Sequence, residues 1–161
     1  MSLTAQKVDA IARMLLSETI AEGQKAKAEL QRLMSISQET QDTETTTQIH
    51  KLLTEIGVPT CNAGHSYLIE GIRETIRDPD ALKGTTLPGG LLERIAEKCG
   101  AASSYAVERG MRESIAAAWD HGNHNFQEEH FTVLSSITLT PTVRNFISRA
   151  ANIVRLRMEQ Q

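Results

Sequence analysis

The stretch LLERIAEKCGAASSYAVERGMRESIAAAW, residues 91–119, contains two helical patterns separated by a short break. The first pattern ends at Gly100, because glycine readily takes up the left-handed conformation that closes a helix. The residues AASS follow, and serine is a favoured N-cap, so a second helix is expected from there to Trp119, with Gly122 as its stop. Two helices joined by a tight turn are the outline of a DNA-binding helix-turn-helix, which makes this arrangement the first hypothesis about the fold.

The composition favours an all-α fold. The chain has 161 residues, of which 40% are hydrophobic and only 4% aromatic. That length favours one globular domain with an appendage, and the helical periodicity of Leu, Ile and Ala predicts a multi-helix domain. The two cysteines are too few for a disulfide framework. No run of residues reaches membrane-spanning length and the N-terminus lacks a signal-peptide layout, so we expect a cytoplasmic protein without membrane contacts.

The net charge excludes a nucleic-acid-binding protein whose whole surface is basic. The formal net charge is −3 and the pI is near 6.0, so any contact with nucleic acid must come from a local patch. From Leu91 to Trp119 the basic and acidic residues cancel. The last predicted helix is more basic and carries Arg144, Arg149, Arg155 and Arg157. The sequence favours neither a contact of these arginines with the DNA backbone nor a purely solvated face.

Residues 3–34 are predicted to form an amphipathic helix ahead of the main domain. Apolar residues follow helical spacing at both ends of this segment, but Glu18, Glu22 and Gly23 interrupt them, so a sustained heptad is not expected. We expect this helix to pack on its own domain or on a second copy, as a self-association or docking element, and a two-stranded coiled coil is the less favoured alternative. Residues 35–47, SISQETQDTETTT, are polar and rich in threonine, which predicts a linker.

From residue 48 to residue 161 the pattern predicts a domain of short helices. QIHKLLTEIG is a helix stopped by Gly57, and SYLIEGIRETIRDP is a helix that ends near Pro79. TPTVRNFISRAANIVRLRMEQQ is a terminal helix with a threonine cap. Its predicted buried face comprises Val143, Phe146, Ile147, Ala150, Ile153 and Val154. Residues 123–139 are predicted to be irregular, with a strand-like piece in FTVLSSITL at 131–139.

Several of these segments occur together in the order of one known family. The segments HKLLTEIGVP, IRETIRDPD, IAEKCG, VERGMRESIAAAWDHGN and TPTVRNFISRAANIVRLR resemble the C-terminal effector domain of stage zero sporulation protein A. The resemblance covers roughly residues 48–158. It implies an all-helical DNA-binding domain with a central helix-turn-helix, which binds short guanine-containing promoter sites, often in tandem, and regulates transcription in sporulation. Residues 1–47 are too short for the family's receiver domain, so we expect no phosphorylation switch within this chain.

The resemblance and the side-chain chemistry assign base reading to the start of the second helix. Val107 is expected to turn inward, and Glu108 and Arg109 are expected to face DNA, since arginine pairs with two guanine atoms and glutamate accepts from cytosine. Arg112 lies on the same face and reaches a base or a phosphate. The full set of predicted DNA-binding residues is Ser103, Ser104, Tyr105, Ala106, Glu108, Arg109 and Arg112. Promoter DNA is the expected partner, bound by a homodimer, and RNA polymerase is a further candidate.

Two departures from the family pattern leave an alternative open. Ala106 stands where the family has an arginine, and one extra residue lies between IAEKCG and VER. With a charge-balanced second helix, both features favour a protein-interaction module that keeps the effector fold and modulates a full-length regulator or RNA polymerase. The helix could also be an ordinary core helix.

No site for catalysis, a cofactor or a metal is predicted. His121, His124 and His130 lie near two glutamates, but Gly122 ends the helix between the first two histidines, and the spacing matches no known ligand set. The sequence also contains no recognisable pair of catalytic acids and no activated nucleophile. An enzyme is therefore not expected.

Overall fold

The chain folds as an all-α protein. The computed structural model describes residues 3–85, 89–131 and 140–160. Six α-helices and one short 3₁₀ helix make up the regular structure, and no strand occurs within those three ranges. In chain order the elements are α1 (Leu3–Ile56), α2 (Ala63–Arg77), the 3₁₀ helix (Pro79–Leu82), α3 (Leu91–Cys99), α4 (Ser104–His121), α5 (His124–Phe131) and α6 (Val143–Glu159). The fold class predicted from the sequence is confirmed.

The first helix is longer than the sequence pattern predicts. The break in secondary structure expected at residues 35–47 is wrong, because α1 continues through them. Threonine hydroxyls in this stretch donate to carbonyl oxygens one turn back, as Thr40 does to Ile36 at 2.9 Å. These bonds occupy the side chains that elsewhere compete with a helical backbone, so the threonines are compatible with a continuous helix.

The chain divides into two compact units, Met1–Thr43 and Glu44–Gln161. The helix predicted over residues 3–34 is present in the first unit, as part of α1. The large apolar side chains described in this unit are all exposed: Val8, Ile11, Met14, Leu15, Leu16, Ile20, Leu30, Leu33, Met34 and Ile36. The role of this segment as a self-association or docking element stays a prediction.

The second unit is built around a core of aliphatic side chains from several helices. Residues without exposed surface include Ile49, Leu52 and Leu53 on α1, Leu68 and Ile72 on α2, Leu91 and Ile95 on α3, Val107, Met111 and Ile115 on α4, and Phe146, Ile147 and Val154 on α6. Each fully buried side chain of this size stabilises the fold by about 1.5–3 kcal/mol. The helical spacings in the sequence predict most of these positions, and the buried face predicted for the last helix is confirmed.

Helices α2 and α4 cross in direct backbone contact at two glycines. A Cβ atom on Gly64 would collide with the carbonyl oxygen of Gly110 and with the Ser114 hydroxyl. On the other helix, a Cβ on Gly110 would lie 3.2 Å from the Tyr67 ring. Glycine inside a helix costs roughly 0.5–1 kcal/mol relative to alanine. The close approach of the two helices offsets that cost, because it brings their apolar faces into contact.

A third glycine lets three helices converge on α2. A Cβ on Gly71 would lie 2.9 Å from Ile147 of α6 and 3.3 Å from Met111 of α4. Ile95 of α3 comes next, at 3.6 Å. The middle of α2 is therefore the point at which α3, α4 and α6 meet.

A buried glutamine ties α5 to the ends of two other helices. The prediction that residues 123–139 are irregular is wrong for α5, and the rest of the strand-like piece, residues 132–139, lies outside the described residues. Gln127 Nε2 donates to the oxygens of Ile56 at 3.0 Å and Ala118 at 2.7 Å. Both carbonyls lie in last turns of helices, and each also accepts a backbone amide: Ile56 from Asn123 at 3.1 Å and Ala118 from Gly122 at 2.7 Å. Tertiary bonds therefore hold α5, and a short sequence window carries no sign of them.

Three arginines anchor α6 to its neighbours. Arg155 donates to two carbonyl oxygens in the last turn of α2, at 2.6 and 3.2 Å, where the helix dipole favours a cation. Arg149 donates to the His130 oxygen at 2.6 Å. Arg157 pairs with Glu55 at 2.6 Å. These three side chains are thus structural, a role distinct from both alternatives that the sequence leaves open.

We expect Gly64→Ala to lower the free energy of unfolding of the second unit by about 1–3 kcal/mol, because the new methyl group overpacks the crossing of α2 and α4. Urea denaturation followed by the fluorescence of Trp119 measures the change. The matched control is Gly23→Ala, since a Cβ at that helical glycine meets nothing within 4 Å. Its stability should be unchanged or slightly raised. Equal midpoints for the two variants would contradict the backbone contact.

A buried histidine predicts a loss of stability in mild acid. His65 is 5% exposed and its Nε2 has no hydrogen-bond partner among the described residues. Burial lowers the pKa of His65 below its ordinary 6.5, and the nearby His50 lowers this pKa further. The unfolded chain therefore takes up a proton first as the pH falls.

We expect the free energy of unfolding to decrease as the pH falls below about 6.5. His65→Leu should remove that part of the pH dependence, because the variant has no proton to bind at this position. Urea denaturation at a series of pH values gives the comparison. Parallel pH profiles for the two proteins would show that His65 is protonated as easily in the fold as in the unfolded chain.

Candidate nucleic-acid interface

Local backbone bonds build the turn between α3 and α4. Gly100 has a φ of +64°, and the amide of Ala101 donates to the Ala96 oxygen at 2.9 Å, which closes α3. Ser103 caps α4, because its hydroxyl oxygen accepts from the Ala106 amide at 3.2 Å. The helix stop and the serine cap predicted from the sequence are both confirmed.

The buried face of α4 determines which of its side chains point outward. Val107, Met111 and Ile115 have no exposed surface, so the inward orientation predicted for Val107 is confirmed. Trp119 is half-buried, and its ring centre lies 5.4 Å from that of Phe131 in an edge-to-face arrangement. One side of α4 therefore packs in the core, as expected, and the opposite side is exposed.

The residues predicted to contact DNA lie at the start and on the outer side of α4. Those that are exposed are Ser103, Ser104, Tyr105, Arg109 and Arg112, and those that are half-buried are Ala106 and Glu108. The exposed fraction of Tyr105 reaches 67%, so its ring is available to a partner. The predicted residues thus form one continuous surface, which we call the outer face of α4.

Each arginine of the outer face is paired with a glutamate one turn away. Arg109 Nε lies 2.8 Å from Glu113 Oε1, and Arg112 Nη2 lies 2.8 Å from Glu108 Oε1. The hydrogen bond to Glu113 raises the pKa of Arg109 above its ordinary value. Exposed pairs at this spacing are weak and are readily exchanged for other partners. The outer face thus offers two guanidinium groups that are restrained and available to a stronger anion.

The basic residues of α3 are engaged with α2. Lys98 Nζ donates to Glu74 Oε1 at 2.6 Å, and Arg94 lies 3.9 Å from the other oxygen of that carboxylate. The hydrogen bond from Lys98 is the main reason that the pKa of Glu74 falls below its ordinary value. These cations hold α3 in place against α2, and Arg109 and Arg112 remain as the cations of the outer face.

Sequence reasoning missed the role of Glu113. It counted this residue only as a charge that cancels an arginine, whereas the structure pairs it directly with Arg109. The signal was present, since opposite charges four residues apart on a helix surface are neighbours. The contact between Lys98 and Glu74 had no such signal, because the two residues belong to different helices.

The histidines near the end of α4 serve packing and helix contacts. His124 Nδ1 lies 3.3 Å from Gln127 Oε1, and the His130 ring lies 4.2 Å from the centre of Phe126. Among the described residues, no three His, Cys, Asp or Glu side chains lie close enough together to hold a metal ion. None of the described helices combines the length and apolar character that crossing a membrane requires.

The comparison with known families agrees with this geometry. The sequence model of the family described as "Sporulation initiation factor Spo0A C terminal" matches residues 49–154, about two thirds of the chain. The match includes α2, α3, α4 and α5 together with the buried part of α6. This is a family of DNA-binding domains of transcription regulators and not of enzymes, which places the chain among DNA-binding proteins that regulate transcription. The chain belongs to the Spo0A C-terminal family of sporulation initiation factors.

Proposed function

We propose that this chain binds double-stranded promoter DNA in a sequence-specific manner by inserting α4 into the major groove. The observation that carries the proposal is the outer face of α4. The helix is fixed from behind by Val107, Met111 and Ile115, and it presents Tyr105, Arg109 and the other predicted contacts to solvent. A rigid helix with a charged, uncovered side at its N-terminal half is the arrangement that helix-turn-helix proteins use to read base edges.

Each residue of the outer face takes a defined role in this proposal. Arg109 reads guanine through two hydrogen bonds, and Glu108 accepts from a cytosine amino group. Arg112 contacts a phosphate or a base, and Ser103 and Ser104 at the helix start position the backbone. Half-buried Ala106 cannot supply the second arginine of the family pattern, so we propose that the preferred site differs from the family's guanine-containing box, or is bound more weakly.

Base reading requires Arg109 and Arg112 to leave their glutamates and bind DNA instead. Phosphate groups attract both arginines and repel Glu108 and Glu113, so the pairs within the helix open as DNA approaches. The carboxylate of Glu108 then becomes free to accept a hydrogen bond from a cytosine amino group. Glu113 follows directly after the N-terminal half of α4, and we assign it no base contact, so its charge only repels phosphate and weakens binding.

A second candidate function follows from the same pairs. A charge-balanced helix face with an exposed Tyr105 also suits a protein partner, such as a full-length regulator of this family or RNA polymerase. In that case the chain would modulate transcription from the cytoplasm without reading a promoter. Duplex binding with a salt-dependent affinity and a base preference distinguishes the first function from the second.

We expect the Arg109→Ala, Arg112→Ala double variant to lose at least about tenfold in affinity for the preferred duplex, because each arginine contributes phosphate or base contacts. Fluorescence anisotropy measures this at two salt concentrations, with a duplex carrying the family box, a scrambled duplex and duplexes selected from a random pool. The matched control is Arg32→Ala, which should leave the affinity unchanged, since Arg32 is exposed on α1 in the first unit. If a folded wild-type protein bound none of these duplexes, the interaction-module function would replace the proposal.

We expect Glu113→Gln to raise the affinity for the same duplex by about twofold, because the substitution releases Arg109 and removes a charge that repels phosphate. Glu159→Gln, an equal change of charge at the end of α6, is the control and should leave the affinity unchanged. Weaker binding by Glu113→Gln would mean that Glu113 positions Arg109 for base reading instead of restraining it.

A further inference from the structure

The first unit of the chain exposes an apolar surface that is large for a single helix. Ten large apolar side chains between residues 8 and 36 are each 49–67% exposed. A helix in water gains most of its stability from packing its apolar face on another surface. Contiguous apolar patches of this kind usually mark sites of interaction with another protein. This part of α1 therefore has the properties of an interaction surface.

An uncharged heptad frame runs along this surface. A heptad frame that begins with Val8 and Ile11 places Glu18 and Glu22 at d and a positions, inside the apolar seam. In a second frame, with Leu16 at an a position, neither glutamate occupies an a or d position. The a and d positions of that second frame are Ala12, Leu16, Thr19, Gly23, Ala26, Leu30, Leu33 and Ser37. Because α1 continues without a break through residue 37, this frame lines one side of a continuous helix.

Most of the exposed apolar side chains belong to this frame or to its edges. Leu16, Leu30 and Leu33 occupy a and d positions, and five more side chains occupy the flanking e and g positions: Val8, Leu15, Ile20, Met34 and Ile36. Only Ile11 and Met14 of the ten fall outside these four positions. The apolar side of the helix is therefore wide enough to cover a second helix of the same kind.

The middle of the frame allows close approach of another helix. The Thr19 hydroxyl donates to the Leu15 oxygen of its own helix at 2.8 Å, so its donor is satisfied inside an apolar interface. A Cβ on Gly23 would meet nothing within 4 Å, and Ala26 follows at the next d position. Small side chains at these positions let two backbones come near each other.

The charges beside the frame select a parallel pair of identical helices. In a parallel pair, a g residue faces the e residue five positions further along the other helix, so Glu22 faces Lys27 of the partner subunit. In an antiparallel pair aligned on the same uncharged segment, g residues face each other, and Glu22 would face Glu29 of the partner subunit. Two attractive pairs in one arrangement and two repulsive pairs in the other favour the parallel form.

We propose that residues 12–37 of α1, which begin after the charged Asp9, pair with the same residues of a second copy of this chain, as a parallel two-stranded coiled coil. The occupant of the apolar surface is thus a second copy, because the surface is complementary to itself in both apolar pattern and charge. The inference goes beyond DNA binding and does not depend on it, since two copies associate without DNA.

Sedimentation equilibrium of the full chain, without DNA, tests the proposal. We expect a mass of twice the 17.7 kDa of one chain. Leu30→Asp should raise the dissociation constant of the dimer at least about tenfold, because it places a charge at an a position inside the interface. The matched control is Met14→Asp, since Met14 is as exposed as Leu30 but lies outside the frame. A monomer at every concentration, or equal weakening by both variants, would overturn the proposal.

A charge reversal tests the orientation of the two helices. Glu22→Lys should weaken a parallel dimer, because the new lysine faces Lys27 of the partner subunit, and adding Lys27→Glu to the same chain should restore it. In an antiparallel dimer the single change would instead strengthen association, because the new lysine would face Glu29 of the partner subunit. Stronger association after the single change, or a mass larger than a dimer, would contradict the parallel two-stranded form.

Discussion

The contact between α2 and α4 at Gly64 and Gly110 is the constraint on which the rest of the second unit depends. Because no Cβ intervenes, the two backbones meet directly, and Ser114 and Tyr67 close over the crossing. The buried face of α4 then packs into the core, and its register determines which residues point outward. A larger side chain at the crossing would move α4 as a whole, and with it every residue of its outer face.

Several cations of the second unit hold helices together. Lys98 binds Glu74, Arg155 binds the end of α2 and Arg157 binds Glu55, so these cations stabilise the fold and add little to a DNA-binding surface. The outer face of α4 keeps Arg109 and Arg112, each paired with a glutamate. A single domain with so few available cations is expected to bind DNA weakly. Association of two copies through α1 would compensate, because the second binding event becomes intramolecular.

Local chemistry explains which elements could be predicted. Gly100, Ser103 and Thr142 are the stop and cap residues that helix ends favour, and each takes that role in the structure. The continuation of α1 through residues 35–47 and the formation of α5 could not be predicted in this way. In the first case threonine side chains bond back to their own helix, and in the second Gln127 bonds to two distant carbonyl oxygens. Neither effect has a distinct signature in a short window of sequence.

The sequence by itself determined the all-α class, the family, the helix-turn-helix and the outward set of residues on α4, because helical periodicity and capping act over a few neighbouring positions. Tertiary structure alone decided which cations remain available. The sequence counts Lys98, Arg149, Arg155 and Arg157 as charges, whereas folding brings each next to a carboxylate or carbonyl group far along the chain. The physical reason is that these contacts depend on the distance between groups in space. The order of residues along one helix does not give that distance when the partner belongs to another helix.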